Sequence, residues 1–216
     1  MNERLAQPSM ITALALATEG GLVALALLIA SWWGHNPWGN IVWSRAALEA
    51  NLLAVGQGAL AALPLLLALL VIDRWPPWFL RALKRSVERE VVPLFEQSGL
   101  PEFALISLAA GFGEELFFRG LIQLGIAMEL HSGTGLEHPQ ILAISIGVAS
   151  LIFGVCHWLN REYAFMATIT GVYLGALLVY TDNLLAPITA HALYDFFALC
   201  YLVLLKGRSV KPKMSM

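Results

Sequence analysis

The fold predicted is an all-α, polytopic membrane bundle of about six transmembrane helices, with an amphipathic helix lying at the membrane interface. Three observations predict it. The first is composition: apolar residues make up 58% of the 216 residues and charged residues only 13%, against roughly 45–50% and about 25% in soluble domains. The second is the recurrence of apolar runs near the ~20 residues that span a bilayer core. The third is the distribution of Lys and Arg between alternate loops. A mean hydropathy of +0.71 agrees. Together they exclude a soluble enzyme, a disordered chain and a nucleic-acid-binding domain, which needs basic excess. The whole chain, 1–216, reads as one integral membrane domain.

The runs follow in order. Met10–Trp33 is interrupted by Glu19, and Leu48–Ile72 contains Gln57 and Pro64. Pro101–Leu130 carries Glu114, Glu115 and Arg119. Pro139–Trp158, Tyr163–Tyr180 and Leu184–Leu205 complete the set. No ten-residue units of alternating polarity occur, which argues against a β-barrel. The first run is longer than a leader's apolar core and lacks a strongly basic flank, so it is expected to be retained.

With a cytoplasmic N-terminus and six alternating spans, Arg4, Arg74, Arg81, Lys84, Arg85, Arg89, Arg161, Lys206, Arg208, Lys211 and Lys213 fall inside. Arg45 alone falls outside. This eleven-to-one bias predicts both termini inside. The connection Asp73–Leu100 places Trp75, Trp78, Phe79, Leu83, Val87, Val91 and Leu94 near helical spacing, with basic residues between them. It reads as a surface helix; its competitor is a straight extension of the third span. Asn36-Pro37-Trp38 and Trp43 read as an aromatic belt, and His35, His131 and His138 as solvated loop residues. Cys156 and Cys200 read as small buried hydrophobes, with neither disulfide nor zinc-ligand spacing.

Ionisable groups inside a bilayer are costly and mark function. Glu115 and Arg119 are four apart and share a helix face, while Glu114 lies about 100° round the turn. One carboxylate can thus be neutralised while its neighbour meets a different environment. Alone, the pair could equally be a lock between helices. His157 closes the fourth run, four residues after Phe153, and His191 and Asp195 sit at i, i+4 in the sixth. Glu and His sets bind metal or move protons to and from water. Straight rods would put Glu114 in mid-membrane with the two histidines towards opposite ends, so convergence requires tilt or stagger.

Glu-Glu-Leu-Phe-Phe-Arg (Glu114–Arg119), Phe-x-x-x-His (Phe153–His157) and His-x-x-x-Asp (His191–Asp195) resemble, in order, the three motifs of the CPBP intramembrane proteases. That family includes type II CAAX prenyl endopeptidases and bacterial proteins linked to bacteriocin processing or self-immunity. The protease-like core spans 101–206. The resemblance implies hydrolysis of membrane-associated or prenylated peptides and proteins in a water-accessible cavity. It maps the water-activating base onto Glu114, with Glu115 and Arg119 in support and His157 and His191 around the reacting centre. Asp195 stands where the family often has Asn. An ionised aspartate cannot donate to an oxyanion, so it is protonated, orients His191 or helps bind a cation. Glu114, His157, His191 and Asp195 are therefore candidate ligands for zinc, although there is no His-Glu-x-x-His motif and no cofactor is required. The expected partners are membrane lipid and a peptide or protein substrate, in a bacterial cell membrane. The competing readings are a non-catalytic immunity or assembly factor of the same fold and a small proton-relay transporter. The latter lacks repeat-related broken helices.

Overall fold

The computed structural model describes residues 10–39, 41 and 44–206, and every regular element among them is helical. Arg4, Trp43, Arg208, Lys211 and Lys213 lie outside the described residues. α1 is Met10–Trp33, with the bounds read from its apolar run. α2 is Leu48–Arg74, preceded by a tight turn over Arg45–Ala47. α3, Arg81–Ser86, is the centre of a broken helical segment running from Trp78 to Phe95. α4 is Leu100–Glu115. Its backbone continues through a π-helical stretch, Leu116–Gln123, into α5, Leu124–Gly133. α6 is His138–Cys156, α7 is Arg161–Thr181 and α8 is Leu185–Leu199, extended by a second π-helical stretch, Cys200–Lys206.

Five helices are long and apolar enough to cross a membrane: Met10–Trp33, Arg45–Arg74, His138–Cys156, Arg161–Thr181 and Leu185–Lys206. The sixth expected span is the rod formed by α4, the π-helical stretch and α5. Burial is inverted relative to a soluble bundle. Only 11% of the most apolar window of α1, and of α2, is buried. Leu14, Leu28, Leu60, Leu67, Leu151 and Val155 point outward, where lipid rather than water receives them. The interior combines apolar residues such as Phe103, Leu116, Leu121 and Leu184 with polar ones, among them Ser107, Glu115, Arg119, Gln123, Ser145 and Ser150. Lipid tails are as apolar as leucine, so close packing and internal hydrogen bonds drive such helices together. The protein is an integral membrane protein.

α4 lies at the centre, against α1 on one side and α8 on the other; α2 packs on α8, and α6 on α7. Glycine permits the closest approach. A Cβ at Gly111 would stand 2.8 Å from Ala192 Cβ and 2.9 Å from the Ile188 carbonyl oxygen. This contact brings α8 onto the helix that carries Glu114.

The segment Trp78–Phe95 does not extend the third span. Gly99 is extended (φ −118, ψ −172), Pro101 follows in the first turn, and Glu102 accepts the Gly99 N–H at 2.9 Å, so α4 starts afresh. Trp75 and Trp78 are 70% and 81% exposed, while Leu80 is buried. The segment is amphipathic, as its spacing predicts.

Three local expectations are corrected. His35 is partly buried, with Nε2 donating to the Gly120 carbonyl at 2.7 Å across the bundle. Trp38 packs against Phe112 and the core around Leu116 and Leu184 rather than forming a belt. Cys156 is exposed, at the last residue of α6, where the helix ends.

Candidate active site

Glu115 is the fixed point from which the site is built. It is fully buried, and its Oε1 accepts from Arg119 Nη1 at 2.9 Å. The arginine is held twice more: Nη2 donates to the Gly171 carbonyl at 3.0 Å, and the guanidinium lies 4.5 Å over the Phe153 ring. A buried charge is tolerable only when paired and saturated in this way. The pair sits where α4 gives way to the π-helical stretch, a distortion frequent at functional sites.

The same Glu115 oxygen orients a second partner. His191 Nδ1 lies 2.8 Å from Glu115 Oε1. A carboxylate already bound to arginine can only accept, so Nδ1 carries the proton. His191 Nε2 then points at Glu114 Oε2, 3.9 Å away, and at Asp195 Oδ2, 3.5 Å away. His157 is turned by a comparable device. Its Nδ1 donates to the Phe153 carbonyl at 2.8 Å, its ring stacks on the Phe153 ring at 4.2 Å, and its Nε2 stands 3.4 Å from Glu114 Oε2. Both imidazoles thus spend Nδ1 on the protein and present Nε2 to one carboxylate.

Glu114, His157, His191 and Asp195 line a single cavity of about 470 Å³. α2 contributes Leu65, Leu69 and Ile72 to its apolar wall, and the Trp78–Phe95 segment contributes Leu83, Val87 and Phe95. Glu114 Oε2 has no hydrogen-bond partner among the described residues. The far rim holds Asp73, Lys84, Glu88 and Lys206. Lys206 pairs with Asp73 and with Glu88, the latter at 2.6 Å; Lys84 donates to the Asp73 carbonyl at 2.6 Å, and Tyr201 to Asp73 Oδ2 at 2.8 Å.

All six residues singled out in the sequence therefore meet: Glu115 and Arg119 behind the cavity, Glu114, His157, His191 and Asp195 on its wall. Stagger achieves this, with His157 at the end of α6 and His191 in the second turn of α8. The candidate metal ligands come together without forming a ligand set. No group of three or more His, Cys, Asp and Glu side chains among the described residues has the geometry to hold a metal ion. Three neighbours were missed. Glu19 of α1 lies behind Glu114, its Oε2 buried without a partner and its backbone against Gly113. An acid in an otherwise apolar run was its signal. Tyr163 and Tyr194 line the cavity, and nothing in the sequence separates them from other aromatic residues of the spans.

Residues 96–197 match the family model described as Rce1-like, type II CAAX prenyl endopeptidase Rce1-like. The chain is also similar to "Uncharacterized protein YpbD" of Bacillus subtilis (strain 168), 29% identical over 110 residues, covering 50% of this chain and 49% of the relative. The chain thus spans about half the length of that relative. No solved structure matches. The resemblance read from the three motifs is borne out at the level of the family.

Proposed function

We propose that this Rce1-like membrane protein is an intramembrane endopeptidase of the CAAX type, with Glu114 as the base that activates water. The observation that carries the reading is the convergence of His157 Nε2 and His191 Nε2 on Glu114 Oε2, at 3.4 Å and 3.9 Å. Both separations exceed a good hydrogen bond, so the imidazoles surround Glu114 without tying it up, and a water entering the cavity meets a carboxylate that can act on it.

Glu114 takes a proton from that water as its oxygen bonds to the carbonyl carbon of the peptide. The carbonyl oxygen gains the negative charge and turns to donors on the cavity wall, His157 and His191 when protonated at Nε2. The C–N bond then breaks, and the proton held by Glu114 passes to the leaving amine. Glu115 and Arg119 do not touch substrate; they hold His191 in the tautomer and orientation that aim Nε2 at the base. The family implies zinc as a further agent, but the side chains present do not fit it, and no step is routed through a metal.

The apolar walls suit a membrane-associated or lipid-modified peptide. We place both termini and the Trp78–Phe95 segment on the cytoplasmic side of a bacterial membrane, as the Lys/Arg bias directs. Purified protein in detergent or proteoliposomes should cleave members of a peptide library, prenylated and unmodified, and Glu114→Gln should abolish cleavage while the protein stays folded. Full cleavage by Glu114→Gln would overturn the reading.

A further inference from the structure

The carbonyl oxygen that becomes negative gains from a donor that is independent of the proton Glu114 handles, and the histidines named so far are not independent of it. Both histidines have spent Nδ1 on Glu115 and on the Phe153 carbonyl. Their Nε2 atoms face Glu114, and His191 Nε2 also faces Asp195. Each can donate to substrate only as an imidazolium, and then competes with the base for the same proton. Asp195, ionised, accepts and never donates. It stands on the cavity wall with its side chain 30% exposed.

Two phenol hydroxyls on the same wall are unspent, as is the Thr170 hydroxyl. Tyr163 and Tyr194 both line the cavity, and neither hydroxyl makes a hydrogen bond to another described residue. Tyr163 is fixed at its backbone: Asn160 caps α7 and accepts the Tyr163 N–H at 2.8 Å, so the side chain leaves the first turn of α7. That turn follows His157 by only a few residues. Tyr163 lies within electrostatic reach of both Glu114 and Asp195; Tyr194 reaches Asp195 and Tyr163. Of the two tyrosines, Tyr163 alone interacts with the base as well as with the aspartate.

We infer that Tyr163 is a catalytic residue whose hydroxyl donates to the developing oxyanion, supplying across the cavity the neutral donor that Asp195 cannot provide. The inference rests on the endopeptidase reading of the site. A phenol is well suited to this role, being neutral, carrying an O–H that rotates about a rigid ring, and asking nothing of the proton that Glu114 handles. Asp195 then acts on His191, accepting from Nε2 when that nitrogen is protonated.

The test compares full-length wild type with Glu114→Gln, Tyr163→Phe, Tyr194→Phe and the double variant Tyr163→Phe/Asp195→Asn, on a peptide the wild type cleaves. Removing one oxyanion donor lowers kcat by roughly 10²-fold. Tyr163→Phe should do so with KM and melting temperature unchanged. In the double variant the amide introduced by Asp195→Asn should restore at least about tenfold, because it can donate where the carboxylate cannot. Glu114→Gln keeps the two ideas apart: if it retains cleavage, the site reading fails; if it is inactive while Tyr163→Phe is fully active, this inference alone fails. A fall in kcat matched by a lower melting temperature, a loss at Tyr194→Phe in place of Tyr163→Phe, or no recovery in the double variant would each overturn it.

Discussion

Glu115 and His191, 76 positions apart, share a buried 2.8 Å hydrogen bond, and that bond decides which nitrogen of His191 faces Glu114. Because the Glu115 oxygen also takes Arg119 Nη1 at 2.9 Å, one carboxylate ties the arginine of its own helix to the histidine of α8. Adjacent glutamates thereby divide their work. Glu115 is spent on architecture, and Glu114 keeps an oxygen for the cavity.

The two glutamates should fail differently. Glu115→Gln strips a buried arginine of its counter-charge, and a pair broken on one side costs roughly 3–5 kcal/mol. It should lower thermal stability in detergent and reduce activity as His191 loses its orientation. Glu114→Gln breaks no hydrogen bond within the protein and should melt within a few degrees of wild type while losing cleavage. Melting curves beside a cleavage assay decide it. An unfolded Glu114→Gln with an unharmed Glu115→Gln would reverse the assignment.

The same geometry bears on metal dependence. Two histidines and two carboxylates are a zinc set by composition, but as placed they do not form a group that can hold a metal ion. Cleavage should therefore survive prolonged chelation. Chelation that abolishes activity, with recovery on adding zinc alone, would show that the four side chains close around an ion during turnover.

Topology is open to direct chemistry. A single cysteine at Ser132, in the last turn of α5, should be labelled only from outside in a background lacking Cys156 and Cys200. One at Ser209, beyond the described residues, should be labelled only from the cytoplasm. Labelling of both from one side would remove the six-span arrangement.

How much of this was legible beforehand follows from what apolar patterning encodes. α1 was read to the residue because lipid exposure leaves a long apolar run in which Glu19 is the one charged residue, and Glu115 with Arg119 followed from helix geometry alone. The π-helical stretch Leu116–Gln123 was not visible, because a change of hydrogen-bond register leaves no hydropathy signature. His35 and Trp38 were misplaced for a related reason. Their loop folds back so that the Pro37 carbonyl abuts Gly120, a tertiary contact that local sequence does not announce. The tyrosines of the cavity were hidden among aromatic residues that elsewhere face lipid.

The rim of the cavity yields a prediction about access. Lys206 bridges Asp73 on α2 and Glu88 on the Trp78–Phe95 segment, and Tyr201 also holds Asp73. Partly exposed pairs of this kind contribute only ~0.2–1 kcal/mol each. Asp73→Asn should thus leave the melting temperature almost unchanged. It should nonetheless loosen the segment that covers the cavity, seen as faster backbone hydrogen exchange across 78–95, and change KM several-fold more than kcat. Unaltered exchange would mean that apolar contacts through Leu83, Val87 and Phe95 alone hold the segment down.

Glu19 supplies the sharpest test of whether the site trades stability for activity. Its carboxylate sits in an otherwise apolar helix, with Oε2 buried and unpartnered, so folding bears the cost of desolvating it, about 1–3 kcal/mol for a polar group left unsatisfied. It stands behind Gly113, where a Cβ would lie 2.9 Å from both the Glu19 carbonyl oxygen and Oε2, and it is within electrostatic reach of Glu114, His157, His191 and Asp195. When Glu19 is ionised, its charge behind Glu114 favours proton uptake by that carboxylate, which is what a base requires. Glu19→Leu should therefore raise the melting temperature and lower kcat/KM by roughly tenfold, on the usual pattern of a strained site relieved. Gly113→Ala should lower activity by displacing Glu19, and Glu19→Leu in that background should cost less activity than it does in wild type. A less stable Glu19→Leu protein with wild-type cleavage would make Glu19 a structural residue and leave Glu114 to act without it.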